Sequence, residues 1–137
     1  MSADLARFVA AQAPVWDAVE AELAAGRKRT HWMWFVFPQI AGLGQSAMSA
    51  RYALDGLEAA RAYLAHPLLG ARLRRATDLM LAHAGEDAAS VLGGVDAMKF
   101  RSSMTLFAAA APEEPRFAAA LRAFHGGAPD PETLARL

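Results

Sequence analysis

The sequence predicts an all-α fold, a compact multihelical single domain of short to medium helices covering residues 1–137. Alanine supplies 34 of the 137 residues, and it loses no side-chain entropy when a helix forms. Valine and isoleucine together number seven, too few to dress the surface of a large sheet. The length suits one domain around one sizeable core. No internal repeat, low-complexity linker or shift in composition marks a second.

Local signals place each helix in turn. Asp4 can open a helix running to about Gln12. Pro14 fits the first turn of the next, because Ala13 before it is pushed out of the helical region. Trp16, Val19 and Leu23 then recur at helical spacing, and Gly26 closes that segment. Thr30 is placed to cap a short helical turn that Pro38 stops. The stretch from Gly42 to Ser46 reads as a glycine-rich connecting turn before a helix. Asp55 and Glu58 have capping-box spacing for a helix from Gly56 to about Ala65. Pro67 begins another, with Leu69, Leu73, Ala76 and Met80 on one face and Gly85 at its end.

Asp87 starts a short helix to about Leu92, after which Gly93-Gly94 forms a turn. Asp96 is then placed to cap an amphipathic helix whose stripe is Phe100, Ser103, Met104, Phe107 and Ala111, broken by Pro112. Phe117, Leu121 and Phe124 mark the next helix before Gly126-Gly127, and Asp130-Pro131 launches a last short one. The predicted core is Phe8, Trp16, Leu23, Trp32, Phe35, Leu64, Leu73, Met80, Met104, Phe107, Leu121 and Phe124.

The run from His31 to Gln39 holds two of the three tryptophans and two of the seven phenylalanines. Rings of this size dominate burial energy, and a buried indole N–H wants a partner. The run is apolar on all sides, so its period does not separate buried helix from buried strand. The alanine-rich context favours helix. This segment is either the centre of the core or one wall of a ligand pocket.

Composition narrows the function classes. Fourteen basic and fourteen acidic residues cancel, which removes the long-range positive field of a typical nucleic-acid binder. Arg27-Lys28-Arg29 and the group Arg72, Arg74 and Arg75 are the remaining candidates for touching phosphates. With no cysteine there is no disulfide, thiolate metal site or cysteine nucleophile. The start Met1-Ser2-Ala3-Asp4 lacks the pattern of a secretory leader. No apolar stretch reaches the roughly 18–20 residues of a membrane span. The expectation is a cytoplasmic protein with no membrane partner. There is no His-Glu-x-x-His spacing, Gly-x-Ser-x-Gly elbow, Walker loop or dinucleotide fingerprint. No metal and no cofactor are therefore expected, and no reaction can be read from the motifs.

Several segments together resemble one family. They are Arg7-Phe8-Val9 with Ala11-Gln12, the stretch Gly26 to Phe35, Phe37-Pro38-Gln39, Gly42-Leu43-Gly44, and Arg51-Tyr52. The pattern continues through Tyr63-Leu64 to Arg72-Leu73, Asp96 with Lys99, Ser102 to Phe107, Phe124 to Gly127, Asp130 and Thr133-Leu134. This is similar to the DUF1810 family, over nearly the whole chain. Thr30 and Val36 stand where the family more often has serine and isoleucine. The resemblance implies a compact multihelical domain of mostly bacterial occurrence and supplies no activity.

The candidate ligand-binding residues are His31, Trp32, Trp34, Gln39, Arg51, Tyr52, Lys99, Ser102 and Ser103. Trp32, Trp34 and Tyr52 are of the type that stacks on a planar group, and Arg51, Lys99 and Ser102 of the type that holds charge. Lys99 lies one turn from Ser102 and Ser103, so an ammonium and two hydroxyls can converge on one ligand oxygen. His31 has the chemistry of an acid, a base or a ligand anchor; the plainer reading is a histidine at the first turn of a buried helix. His66, His83 and His125 read as helix-boundary residues. Two function classes stay open. One is binding of a small anionic or planar ligand between the His31–Gln39 segment and the Lys99–Phe107 helix. The other is a protein–protein interaction or accessory module with no catalytic activity.

Overall fold

The structure is a computed structural model that describes residues 4–44 and 46–137. The leader reading at Met1 to Ala3 and the Gln45 position of the glycine-rich turn lie outside the described residues. The remainder folds as helices in the order α1 (Ala6–Gln12), α2 (Trp16–Ala25), α3 (Met33–Val36), α4 (Ala47–Arg51), α5 (Leu57–Ala65), α6 (Pro67–Leu81), α7 (Ala88–Leu92), α8 (Gly94–Ala110), α9 (Pro115–His125) and α10 (Pro131–Leu134). Among the described residues there is no strand, only an isolated bridge between Ile40 and Leu54 and another between Ala84 and Glu86. The fold is all-α, and among the described residues no helix is long and apolar enough to cross a membrane.

The central element is α8, packed by α5, α7 and α9. Its stripe does not stop at Phe100, Ser103, Met104 and Phe107, because Ala97, Ser102, Thr105, Leu106 and Ala110 are buried too. A helix enclosed this way is buried nearly all round in its second half rather than amphipathic. Of the predicted core, Trp16 and Phe124 are partly buried and pack against it from outside, while the other ten are buried. On the second layer, α6 turns Leu69, Leu73, Ala76 and Met80 inward. Gly70 lets α6 pass close to the end of α5, since a Cβ there would collide with the Leu64 carbonyl.

Several caps differ from expectation. Pro14 lies in the turn before α2 rather than in its first turn. Thr30 caps nothing: Trp32 stands at the start of α3 with no side-chain cap, and the Thr30 hydroxyl is drawn to Glu22 instead. Gly56, not Asp55, precedes α5. Because α8 already begins at Gly94, Asp96 sits inside its first turn, free to pair with lysines. Asp87 precedes α7 without a side-chain hydrogen bond. His66 does cap α6, its Nδ1 accepting from the Leu68 and Leu69 amides at 3.2 Å each. Ser46 caps α4, and Asp130 caps α10 by accepting from the Thr133 amide. Gly26 closes α2 at φ 74°, a conformation that favours glycine. The His83 ring lies against it, donating from Nε2 to the Leu23 carbonyl at 2.7 Å.

Candidate functional site

The aromatic segment is pinned at both ends before it can meet a ligand. At its start, Glu22 projects from the last turn of α2 and gathers four donors. Its Oε1 accepts from the Arg29 amide at 2.7 Å, the Thr30 amide at 3.0 Å and the Trp32 indole N–H at 3.0 Å. Oε2 accepts from the Thr30 hydroxyl at 2.7 Å. Burial by itself pushes the carboxyl up; the donors from Arg29, Thr30 and Trp32 outweigh it and hold the pKa down at about 2. At the other end, the Phe35 carbonyl accepts from Gln12 Nε2 at 2.6 Å and from the Tyr63 hydroxyl at 3.4 Å. Burial pushes the Tyr63 hydroxyl far above its ordinary pKa, so it stays a donor.

Between these anchors, the side chains of the segment face in different directions. Phe35 turns toward α1, meeting Tyr52 at 5.3 Å between ring centroids, and Tyr52 in turn meets Phe8 at 5.6 Å. Trp32 and Phe37 turn toward α8, where Phe37 meets Phe100 edge-on at 5.0 Å. Trp34 alone of the two indoles is partly exposed. The Lys99 ammonium lies 5.1 Å from its ring, within cation–π range.

Charge gathers at the same edge. Asp96 takes the Lys28 ammonium at 2.9 Å on one carboxylate oxygen and the Lys99 ammonium at 3.6 Å on the other. Lys28 itself is nearly enclosed, with 7% side-chain exposure, and lies 5.0 Å from the Trp32 ring. Asp96 thus faces two ammonium groups, while the ionised Glu22 on the Trp32 indole supplies a second negative charge on the Lys28 side. The basic triad is therefore divided: Lys28 is committed to Asp96, while Arg27 and Arg29 are exposed.

The structure brings Trp34 and Lys99 together and places the other candidates elsewhere. Trp32, Tyr52 and Ser103 are core residues. The Ser102 hydroxyl lies 3.2 Å from both the Met98 carbonyl and Asp130 Oδ2, its one proton shared between them, and so ties α10 to α8. Arg51 is exposed and its guanidinium lies over Tyr52 at 5.4 Å; no described interaction joins it to Lys99. Gln39 is half-buried and its carbonyl accepts from the Leu54 amide at 2.9 Å. His31 is exposed at the bend before α3 rather than buried in a helical turn, and among the described residues its ring makes no hydrogen bond. His125 packs on Phe100, and its buried Nε2 has no partner among the described residues. Burial and nearby Arg101 pull its pKa below the ordinary value, so the neutral ring is favoured over a cation serving the helix dipole.

Glu22 is the anchoring residue that sequence reasoning missed. One signal was available. A carboxylate in the last turn of a helix opposes the macrodipole, so an acid there needs another purpose. Asp96, expected to cap the helix, lies inside the first turn of α8 and pairs with Lys28 and Lys99. Among the described residues, no three His, Asp or Glu side chains come together as a metal would require.

Comparison with known proteins agrees with this architecture. The family model of DUF1810, described as a protein of unknown function, matches residues 2–137. The crystal structure of the conserved hypothetical protein Rv1873 from Mycobacterium tuberculosis superposes with a TM-score of 0.96 at 51% identity. The match covers 98% of this chain and 96% of that one. No curated protein matches.

Proposed function

The chain belongs to the DUF1810 family, and from that premise we propose that it binds a small anionic ligand with a planar group at the Trp34–Lys99 edge, in the cytoplasm. The observation that carries this reading is the Lys99 ammonium set 5.1 Å from a partly exposed indole while held by Asp96 only at 3.6 Å. An ion pair that long leaves ammonium donors open, so an arriving carboxylate or phosphate can take them. The exposed indole face then offers a stacking surface. His31, exposed at the head of the same segment, supplies a further donor or acceptor. The Glu22 and Phe35 anchors fix the backbone beneath, so little ordering is left to be paid at binding.

The test follows the Trp34 indole N–H resonance during titration with nucleoside monophosphates and aromatic carboxylates. A saturable shift that Lys99→Ala abolishes and Lys99→Arg partly keeps is the expected result. A resonance unmoved by every compound would overturn the reading. The second reading, an interaction or accessory module, is favoured by Val95 and Met98, which are 72% and 53% exposed within the first turns of α8. It predicts a partner co-purifying from the native host that is lost with Val95→Asp and Met98→Asp.

A further inference from the structure

A hollow of about 340 Å³ lies where the C-terminal ends of α5 and α8 meet α6, and neither Trp34 nor Lys99 lines it. Its apolar wall is Leu64, Ala65, Ala110 and Ala111, and its polar groups are Arg61, Arg74 and Glu113. That size falls at the lower end of small-ligand sites, about 300–1,000 Å³.

Both guanidinium groups are fixed by the protein before any ligand arrives. Arg61 Nε donates to the Ala110 carbonyl at 3.1 Å. Arg74 donates from Nη1 to the Leu64 carbonyl at 3.2 Å and from Nε to Glu114 Oε1 at 2.7 Å. Each arginine thus satisfies a carbonyl at a helix end that the helix itself leaves orphaned. Side-chain order gained in folding is not lost again at binding.

The charges are not equally committed. Arg74 is neutralised by Glu114. Among the described residues, neither Arg61 nor Glu113 takes part in an ion pair, although both line the hollow and both are exposed. A lone anion entering here meets the Glu113 carboxylate, and a lone cation meets Arg61. The C-terminal ends of α5 and α8 add partial negative charge, which favours an ammonium beside Glu113. A molecule carrying both signs satisfies both groups.

We propose that this hollow binds a small zwitterion with a carboxylate and an ammonium close together, of which a free α-amino acid with an apolar side chain is the simplest member. Its carboxylate meets the Arg61 fork, its ammonium meets Glu113, and its side chain covers Leu64, Ala110 and Ala111.

Leucine is the probe, titrated into the full chain while backbone amide resonances are followed. Isovalerate and isoamylamine serve as controls that keep the apolar part and only one charge each. Saturable shifts at Ala65, Ala110 and Ala111, with each control binding at least tenfold more weakly, are expected. The Trp34 indole should stay unmoved, which separates this hollow from the other site. Glu113→Gln changes an exposed side chain with no described hydrogen bond, so the variant folds, and it should weaken leucine at least fivefold. Three results would overturn the proposal: no saturable shift with leucine, isovalerate binding as tightly as leucine, or Glu113→Gln binding like the parent.

Discussion

Trp32 and Trp34 stand two positions apart in one segment, and the fold treats them as opposites. Trp32 is fully buried, its N–H satisfied by Glu22 and its ring approached by the enclosed Lys28. Trp34 is partly exposed and its ring is approached by Lys99, whose side chain keeps 22% exposure. Both lysines reach the same carboxylate, Asp96. The difference is set by what waits behind each ring. Only Trp32 finds a buried acceptor, and a buried indole without one would leave its N–H unpaired at a cost of about 1–3 kcal/mol. Neighbouring residues of one type are thus sorted by a carboxylate ten positions upstream.

The strongest way to break this comparison is to remove each indole. Trp32→Ala should cost about 3–5 kcal/mol, since it empties a fully enclosed site and removes one of the four donors to Glu22. Out of a typical total of about 5–15 kcal/mol, that loss brings the domain near unfolding. Trp34→Ala should cost less, about 1–3 kcal/mol, because that ring is only partly buried and packs on the core from outside. Chemical denaturation of the two variants decides the matter, and equal losses would erase the distinction.

Glu22→Gln tests the sorting carboxylate itself. The native pKa of about 2 lies well below the ordinary 4.5, so the ionised carboxylate stabilises the fold at neutral pH. The folded-state pKa is depressed, so this contribution is present above pH 4.5 and is lost as pH falls toward 2. The glutamine variant should therefore be less stable at pH 7, and its deficit should shrink on acidification as the parent loses stability between pH 4.5 and 2. Parallel stability curves across that window would remove Glu22 from its assigned role.

This hub also shows where sequence reasoning reached its limit. Helix positions were legible wherever the signal was local: the Pro67 start, the Gly26 and Gly126 stops and the Asp130 cap all depend on residues within a turn. The meeting of the aromatic segment with α8 was expected from residue types and is visible at Trp34–Lys99 and Phe37–Phe100. Partner choice was not legible. Thr30 and Asp96 have the chemistry of caps, yet long-range partners claim both: Glu22 for one, Lys28 for the other. Ser102, Tyr52 and Trp32 look like ligand contacts for the same reason that they suit a core: polar atoms or rings beside apolar neighbours. Only tertiary packing decides which side of such a residue faces water.

A smaller effect separates the two lysines. Lys28→Met removes the partner at 2.9 Å from a carboxylate that is 19% exposed, leaving Asp96 with Lys99 at 3.6 Å. A loss of about 1–3 kcal/mol is expected. Lys99→Met breaks a longer and more solvated pair and should cost less than about 1 kcal/mol. Thermal denaturation at low and high salt reads both. Ligand response should show the reverse order, with Lys99→Met silent and Lys28→Met still responding.

The smallest effect concerns Ser102 and Ser103, where neighbours of one type again meet different surroundings. Ser102 donates to Asp130, the residue that caps α10, so Ser102→Ala should loosen that helix at a cost of about 0.5–1.5 kcal/mol. The Ser103 hydroxyl is fully buried and, among the described residues, has no partner. Folding strips water from that oxygen and returns nothing, so Ser103→Ala should be neutral or stabilising by up to about 1 kcal/mol. Hydrogen exchange at the Thr133 and Leu134 amides adds a local readout: faster in Ser102→Ala, unchanged in Ser103→Ala. A destabilised Ser103→Ala would mean that the hydroxyl holds a bound water or ligand, and Ser103 would then return to the candidate site beside Lys99.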